Sequence, residues 1–462
     1  MNQVMIRLCV LIGLLYLSGC SGDIPKVDGN EGKNNRSVKD NVSVESDTEE
    51  IRDLVMLTKS DSSQKYVNTE NGYYYMTEEA DELKEGSYGH HLFYVDFKTK
   101  QEVHLCNDSS CQHDTETCTA VLPMVEFESD SSLFVYQNKL YILSRPYDDD
   151  GSSSVVVVGD ESQFESQPAV LYRMDLDGSN REIVYRFDPD VTVESSVFAD
   201  GDGLYVVTKK LASKQEGEVN FTTSSEREMI RIDTATWESQ TVVDMDFDDN
   251  DTKWEIIGSY GKHLIVKGVI FETALSLEEE LDDEKFKESY ENSKTMIASV
   301  DLSTGDMKEL ETLSNKDLHS LAVDKDIIYL SIEGEDEIIR YNLTTEEREV
   351  LANLQQNYIF EVLDGKLVTI SWDYIDDYGM NFVDMETGEV SRSSLVTKTL
   401  GWRLEIRGET EDHILVVYDY DAESRHDDSF EIHRYKLALI KKSDLYEGVD
   451  KFEPIQMVGR GI

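Results

Sequence analysis

The sequence predicts an all-β fold: a β-propeller of about seven four-stranded antiparallel blades, with one helical insertion, over residues 64–462. Two kinds of segment alternate strictly along the chain, seven copies of each. The equivalent turn residues Asp301, Asn342 and Asp384 recur at intervals of 41 and 42 residues, the length of a propeller blade. Large apolar and polar residues alternate with strand period, and helical segments of the kind that would link parallel strands are missing. The rival arrangement is a pair of β-sandwiches.

The N-terminus reads as an export signal. Arg7 supplies a short positive region, Leu8–Leu17 an apolar core, and Leu17-Ser18-Gly19-Cys20 a processing site. An apolar run this short does not span a bilayer, which takes roughly 20 apolar residues, so residues 1–19 are expected to be a signal peptide. LSGC resembles the bacterial lipobox, which implies a diacylglyceryl group on Cys20, an extracytoplasmic protein and a lipid anchor in the cell membrane. A lipid of two or three acyl chains holds far better than one. Residues 20–63 are polar and poor in large apolar side chains, the composition of a disordered tether. Such a chain has an r.m.s. reach of roughly 35–40 Å.

The repeat begins near Gly72. Its first half is a turn and an apolar-aromatic strand: NGYYYM (71–76), QNKLYIL (137–143), GDGLYVV (201–207), GKHLIVK (261–267), KDIIYLS (325–331), DGKLVTI (364–370) and EDHILVVY (411–418). Its second half is a strand, an acidic or Asn residue, a turn and a further strand. Examples are LYRMDLDGSNREIV (171–184) and IIRYNLTTEEREVL (338–351), with IHRYKLALIKKSDL (432–445) as the last copy. Weaker strands such as SLFVY (132–136) and HSLAV (319–323) precede the turns, which makes four strands per unit. Asp-Gly, Thr-Gly and Asn-Gly pairs supply the positive φ that tight turns need. Longer units carry segments inserted between the two halves, at 77–91, 144–169, 208–228, 268–295, 371–380 and 419–431. All of these are expected to join second and third strands and so to crowd one face, where a rigid scaffold displays binding residues. Ser276–Ser289 within them has good helix formers throughout.

The lipobox and the repeat together resemble the lipid-anchored TolB-like or YVTN-like β-propeller lipoproteins of Gram-positive anaerobes. LYRMDLDGSN (171–180) is similar to the strand-turn of TolB-type blades, and LCNDSSCQHDTETCTA (105–120) looks like a Cys-rich signature of such propellers. The resemblance implies location and fold only. This chain departs from the Asp-turn pattern at Asn342 and Lys436.

Three constellations could carry chemistry. With Cys9 in the signal and Cys20 lipidated, the domain owns Cys106, Cys111 and Cys118, and C-x4-C-x-H-x4-C places His113 among them. Three thiolates and an imidazole complete a tetrahedral zinc set with no open position; the alternative is a disulfide plus a free thiol. An extended backbone would turn Cys111 and His113 to one side. Asp244, Asp246, Asp248, Asn250 and Glu255 have the 1, 3, 5, 7, 12 spacing of a calcium loop. However, the sixth position is Asp249 where that loop needs Gly, and the flanks are strands, so a solvated acidic turn fits better. Trp372, Asp373, Tyr374, Tyr378 and Tyr420 lie among acids on inserted loops, where rings could stack on sugars or cations, or fill inter-blade packing.

A net charge of −51 excludes nucleic acid as a partner, because a polyanion repels phosphates. The sequence holds no G-x-S-x-G, H-E-x-x-H, P-loop or dinucleotide fingerprint. The leading expectation is a surface module that binds a glycan, peptide or protein ligand on its looped face. The alternatives are a structural or sensory subunit of an envelope assembly and a polysaccharide hydrolase or lyase, the last requiring facing carboxylates.

Overall fold

The structure is a computed structural model. It describes residues 53–58, 64–84, 86–124, 126–127, 131–145, 168–189, 191–216, 219–245, 247, 253–272, 283–315, 318–332, 336–354, 357–371, 378–425 and 430–459. Seven four-stranded antiparallel sheets form a ring, in chain order: blades 1 (66–104), 2 (132–186), 3 (191–244), 4 (253–314), 5 (318–353), 6 (357–393) and 7 (405–454). First strands lie on the inner side, where those of blades 1 and 2, 4 and 5, 5 and 6, and 7 and 1 touch one another. Second and third strands are the most buried, as in His263–Ile270 of blade 4, and fourth strands such as Met307–Ser314 form the rim. Apolar side chains interleave between blades; Tyr73, Tyr75 and Phe93 of blade 1, for instance, pack on Leu415, Val417 and Leu437 of blade 7.

The repeated acidic or Asn residue has a structural cause. It ends the third strand and its carboxylate or amide oxygen accepts backbone N–H groups two and three residues on: Asp233 from Ala235 and Thr236, Asn342 from Thr344 and Thr345, Asp384 from Glu386 and Thr387. Its carbonyl takes the N–H of the residue four on, at Lys100, Trp237, Gly305, Glu346 and Gly388, all with positive φ. Asn342 makes the same turn as the aspartates, because an amide oxygen accepts these bonds as a carboxylate does. Its departure from the Asp pattern therefore leaves the blade intact.

Three expectations need correction. The last unit is not a hairpin over 432–445. Lacking a turn pair, Phe430–Lys441 runs straight into a short helix, α2 (Lys442–Tyr446), and Glu453–Pro454 supplies the fourth strand. The helical insertion, α1, spans Asp283–Asn292, while residues 276–282 lie outside the described set. The tether gives way to structure before residue 64. Val55–Met56 adds a fifth strand to the axial edge of blade 3, with Leu54 and Thr58 buried. Cys20 and the signal peptide lie outside the described residues.

Ring closure is made at the rim. The C-terminal segment runs beside the fourth strand of blade 1, with Gln456 N–H donating to the Lys100 carbonyl and Glu102 N–H to the Gln456 carbonyl. The Glu102 carboxylate, 1% exposed, accepts from Tyr75 Oη and from the N–H groups of Val458 and Gly459.

Candidate metal centre and insertion face

In an up-down blade, the second-to-third-strand connection and the passage to the next blade leave the same end. Every described lengthened connection is of one of these kinds. They include the long hairpins Gly203–Glu216/Val219–Asp233 and His413–Ser424/Phe430–Lys441, helix α1, the 77–87 segment and the passage 105–131 from blade 1 to blade 2. First-to-second-strand turns are all tight and occupy the other face.

The cysteine cluster sits on the insertion face, in the 105–131 passage. Candidate ligand atoms of Cys106, Cys111, His113 and Cys118 all lie within 4.8 Å of one another. The three thiols are free. Metal–sulfur bonds of about 2.3 Å in a tetrahedron put ligand atoms roughly 3.5–3.8 Å apart, so the four groups need only small shifts to hold one ion. His113 Nδ1 stands 3.3 Å from Cys118 Sγ, and the His113 N–H donates to Cys111 Sγ at 3.4 Å.

The convergence is built by turns. Cys111 N–H bonds to the Asp108 carbonyl, Cys118 N–H to Thr115, and Val121 N–H to Cys118. His113 has φ of 58°, so a left-handed residue, and not the expected extended backbone, brings its ring beside Cys111. Val121–Pro123 then pairs with the start of Tyr88–Asp96, placing the loop against blade 1. Leu83, Ala120 and Val121 pack around the sulfurs, and Lys84 N–H bonds to the Asp114 carbonyl, joining the 77–87 insertion to the cluster. From blade 2, Arg181 donates to the carbonyls of Thr119 and Val121. Gly178, with φ of 80°, lies so close to the Leu105 carbonyl that a Cβ there would stand 2.3 Å from its oxygen.

The surroundings hold the protons of these groups differently. Burial pushes the Cys118 thiol up to about 12. Burial also opposes the Cys106 thiolate, yet hydrogen bonds from the Asp108 backbone, Thr119 and the two other thiols bring it below the ordinary thiol value. Burial lowers His113, leaving an uncharged ring suited to ligation. His104, unremarked in the sequence, stacks on His113 with centroids 4.1 Å apart at 13°. Burial and the neighbouring imidazoles of His113 and His91 lower His104 to about 4. Its only sequence signal is its place as the last residue of the strand that leads into the cluster.

The other expected sites lie only partly among the described residues. Glu255 is held by Lys267 at 2.8 Å across paired strands, Asp244 ends the fourth strand of blade 3, and Asp246, Asp248 and Asn250 lie outside the described residues. Trp372, Asp373 and Tyr374 also lie outside them, while Tyr378 is exposed. Tyr420 is 1% exposed and packs between blades 7 and 1, with its hydroxyl donating to Glu405 at 2.6 Å; it fills the core and is not a surface ring. The exposed rings beside it are Trp402 and Phe430, edge to face at 6.2 Å. Trp402, on the passage between blades 6 and 7, falls outside the repeat pattern that directed attention to Tyr420.

On the opposite face, the turns of blades 5, 6, 7 and 1 surround an open depression of about 630 Å³. Glu70, Asp324, Asp364, Glu409 and Glu411 border it, and Lys442 binds two of these acids, Asp364 at 2.7 Å and Glu409 at 3.3 Å.

No family model and no curated protein matches this chain. Among solved structures it is similar to puromycin hydrolase, at 8% identity and TM-score 0.48 over 86% of this chain and 53% of that one. An oligogalacturonate lyase in complex with manganese gives 11% and 0.38 over 84% and 91%. TolB from Acinetobacter baumannii gives 13% and 0.30 over 82% and 79%. The chain spans about half the length of puromycin hydrolase. At this level of likeness nothing about activity passes from these proteins to this one.

Proposed function

We propose that this chain is an extracytoplasmic binding protein, held to the cell membrane by lipid on Cys20, which takes a glycan, peptide or protein ligand on the insertion face of its propeller. The observation that supports it best is the one-sidedness of the molecule. Long hairpins, α1, the exposed Trp402 and Phe430 and the cysteine cluster share one face, and tight turns occupy the other. A rigid ring with variable connections on one side is an arrangement suited to recognition. We assign the cluster to one structural zinc held by Cys106, Cys111, His113 and Cys118. Zinc would supply the positive charge that stabilises the thiolates and would fix the fold of the blade 1–2 passage, against which Leu83 and Lys84 of the 77–87 insertion are held.

The test is a screen of the Cys20→Ala chain against glycan and peptide arrays and against envelope extract, repeated with two altered forms. One form has both long hairpins shortened to two-residue turns; the other carries Glu70→Ala and Glu411→Ala on the tight-turn face. Binding should be lost in the first and kept in the second. A ligand indifferent to the hairpins but lost with the turn substitutions would refute the reading.

A further inference from the structure

The N-terminal strand fixes the face of the disc at which the described chain begins. Val55 lies opposite Ala199 and Met56 opposite Phe198, at the end of the first strand of blade 3 that meets the tight-turn face. Leu54 N–H donates to the Gly261 carbonyl at 2.9 Å, and Ser259 Oγ donates to the Leu54 carbonyl at 2.9 Å. Gly261 belongs to the first-to-second-strand turn of blade 4.

From there the chain passes inward. Leu57 N–H bonds to the Val197 carbonyl at 2.8 Å. Thr58 Oγ1 donates to the Ser195 carbonyl at 2.6 Å and accepts from Val197 N–H at 2.8 Å. Thr58 thus satisfies backbone groups in the stretch where the register between the first two strands of blade 3 slips. By Gln64 the chain is at the insertion-face end, where its carbonyl takes the N–H of Leu133 near the start of blade 2. Residues 54–58 therefore run inward from the tight-turn face, residue 64 stands at the insertion-face end, and the described chain begins, at Asp53, on the tight-turn face.

We infer that the anchored protein stands with its tight-turn face toward the membrane and its insertion face away from it, so that the partner bound there comes from the side opposite the bilayer and is not a lipid headgroup. This rests on the reading of Cys20 as lipidated. A tether of the length and composition of residues 21–52 would have an r.m.s. reach of about 30 Å, comparable with the disc, so entry at the near face would cost no length in wrapping around the rim. The membrane-side turns carry Glu70, Asp324 and Glu411, which repel anionic headgroups and hold the disc off the surface. The strand His413–Ser424 gives the geometry a scale: its 12 residues separate the turn at Glu411 from the hairpin tip at Arg425 by about 40 Å.

Energy transfer to the bilayer tests the orientation. In the full lipidated chain an azide-bearing residue is placed singly at Glu411 or at Arg425, both exposed. A donor dye is attached by cycloaddition, which spares the thiols, and the lipidated chain is reconstituted into phosphatidylcholine vesicles with an acceptor lipid. Transfer from position 411 should exceed that from 425 by more than about twofold, given the ~40 Å between them. Equal or reversed transfer overturns the inference. A second arm uses the Cys20→Ala chain with an N-terminal biotin, held on streptavidin-coated vesicles, and should give the same order. If this arm gives the order while the unmodified chain fails to join membranes, the lipid reading falls and the exit face stands. If the chain joins membranes and both arms give the reverse order, the exit face falls alone.

Discussion

Cys118 and Cys106 share one cluster but lie on opposite sides of the ordinary thiol value, the first raised by burial and the second lowered by hydrogen bonds. A bound cation would remove that asymmetry by holding all three sulfurs as thiolates. The purified chain should therefore carry one zinc, and Cys118→Ser should reduce it to background and lower unfolding free energy by at least about 2 kcal/mol. Metal analysis and denaturant unfolding read both; a chain with no metal and two thiols lost to oxidation would be the disulfide alternative. His104→Ala should weaken zinc by roughly tenfold in chelator competition, because the His113 ring loses the partner that fixes its plane. Glu194 carries a separate prediction. Burial opposes its charge, but Arg227, bonded through both oxygens at 2.8 Å, and Lys209 at 3.1 Å bring its carboxyl down from 4.5 to about 2. A depressed acid stabilises the fold fully above its unfolded value, and that contribution disappears as pH falls from 4.5 toward 2. Roughly 3 kcal/mol of acid sensitivity should follow, and Glu194→Gln should flatten it while costing about 2–3 kcal/mol at neutral pH. A melting-temperature series across this range decides it; an unchanged acid limb in the variant would assign the acid sensitivity elsewhere.

At the scale of the element, the blade is the unit that the residues specify most directly. The third strand ends in Asp or Asn because a short side-chain oxygen must cap the following turn, and the Asn342 turn has the same bonds as the aspartate ones. Where that device is missing, after Lys436, the strand continues into α2 and the fourth strand arrives late. Blade 7 is fastened to blade 1 partly through Glu102, a buried carboxylate serving three donors. Glu102→Ala should cost about 3 kcal/mol, since the Tyr75 hydroxyl and two N–H groups lose their acceptor. Limited proteolysis should then cut within 453–459 while zinc content stays unchanged; a variant as resistant as the wild type would show that closure does not depend on this contact. Tyr420 marks the limit of element-level reading. In sequence it is one of several rings among acids, and only the inward turn of its strand face makes it core.

For the whole molecule, the net charge of −51 and the one-sided connections bear on partners more than on folding. A charge of this sign would repel nucleic acid and favour ligands that are neutral or cationic. If Cys20 carries the anchor, Cys20→Ala should shift the chain from membranes to the medium or leave the signal uncleaved. Fractionation with lipid labelling reads this, and unchanged retention and processing would refute it.

The blade count, the strand order within each blade and the placing of the insertions follow from local causes: strand period, turn residues with positive φ, and a side chain that caps the outer hairpin. The cysteine cluster was legible for a similar reason, since its four groups lie within 13 consecutive residues, 106–118. What required the tertiary structure depends on residues far apart in the chain. Thr58 meets Ser195, Glu102 meets Val458, and Leu54, beside the strand added to blade 3, meets Gly261 of blade 4. None of these contacts has a period or a motif, because each joins segments that are distant in sequence and meet only in the closed ring. The ring that brings them together also decides at which face the described chain begins.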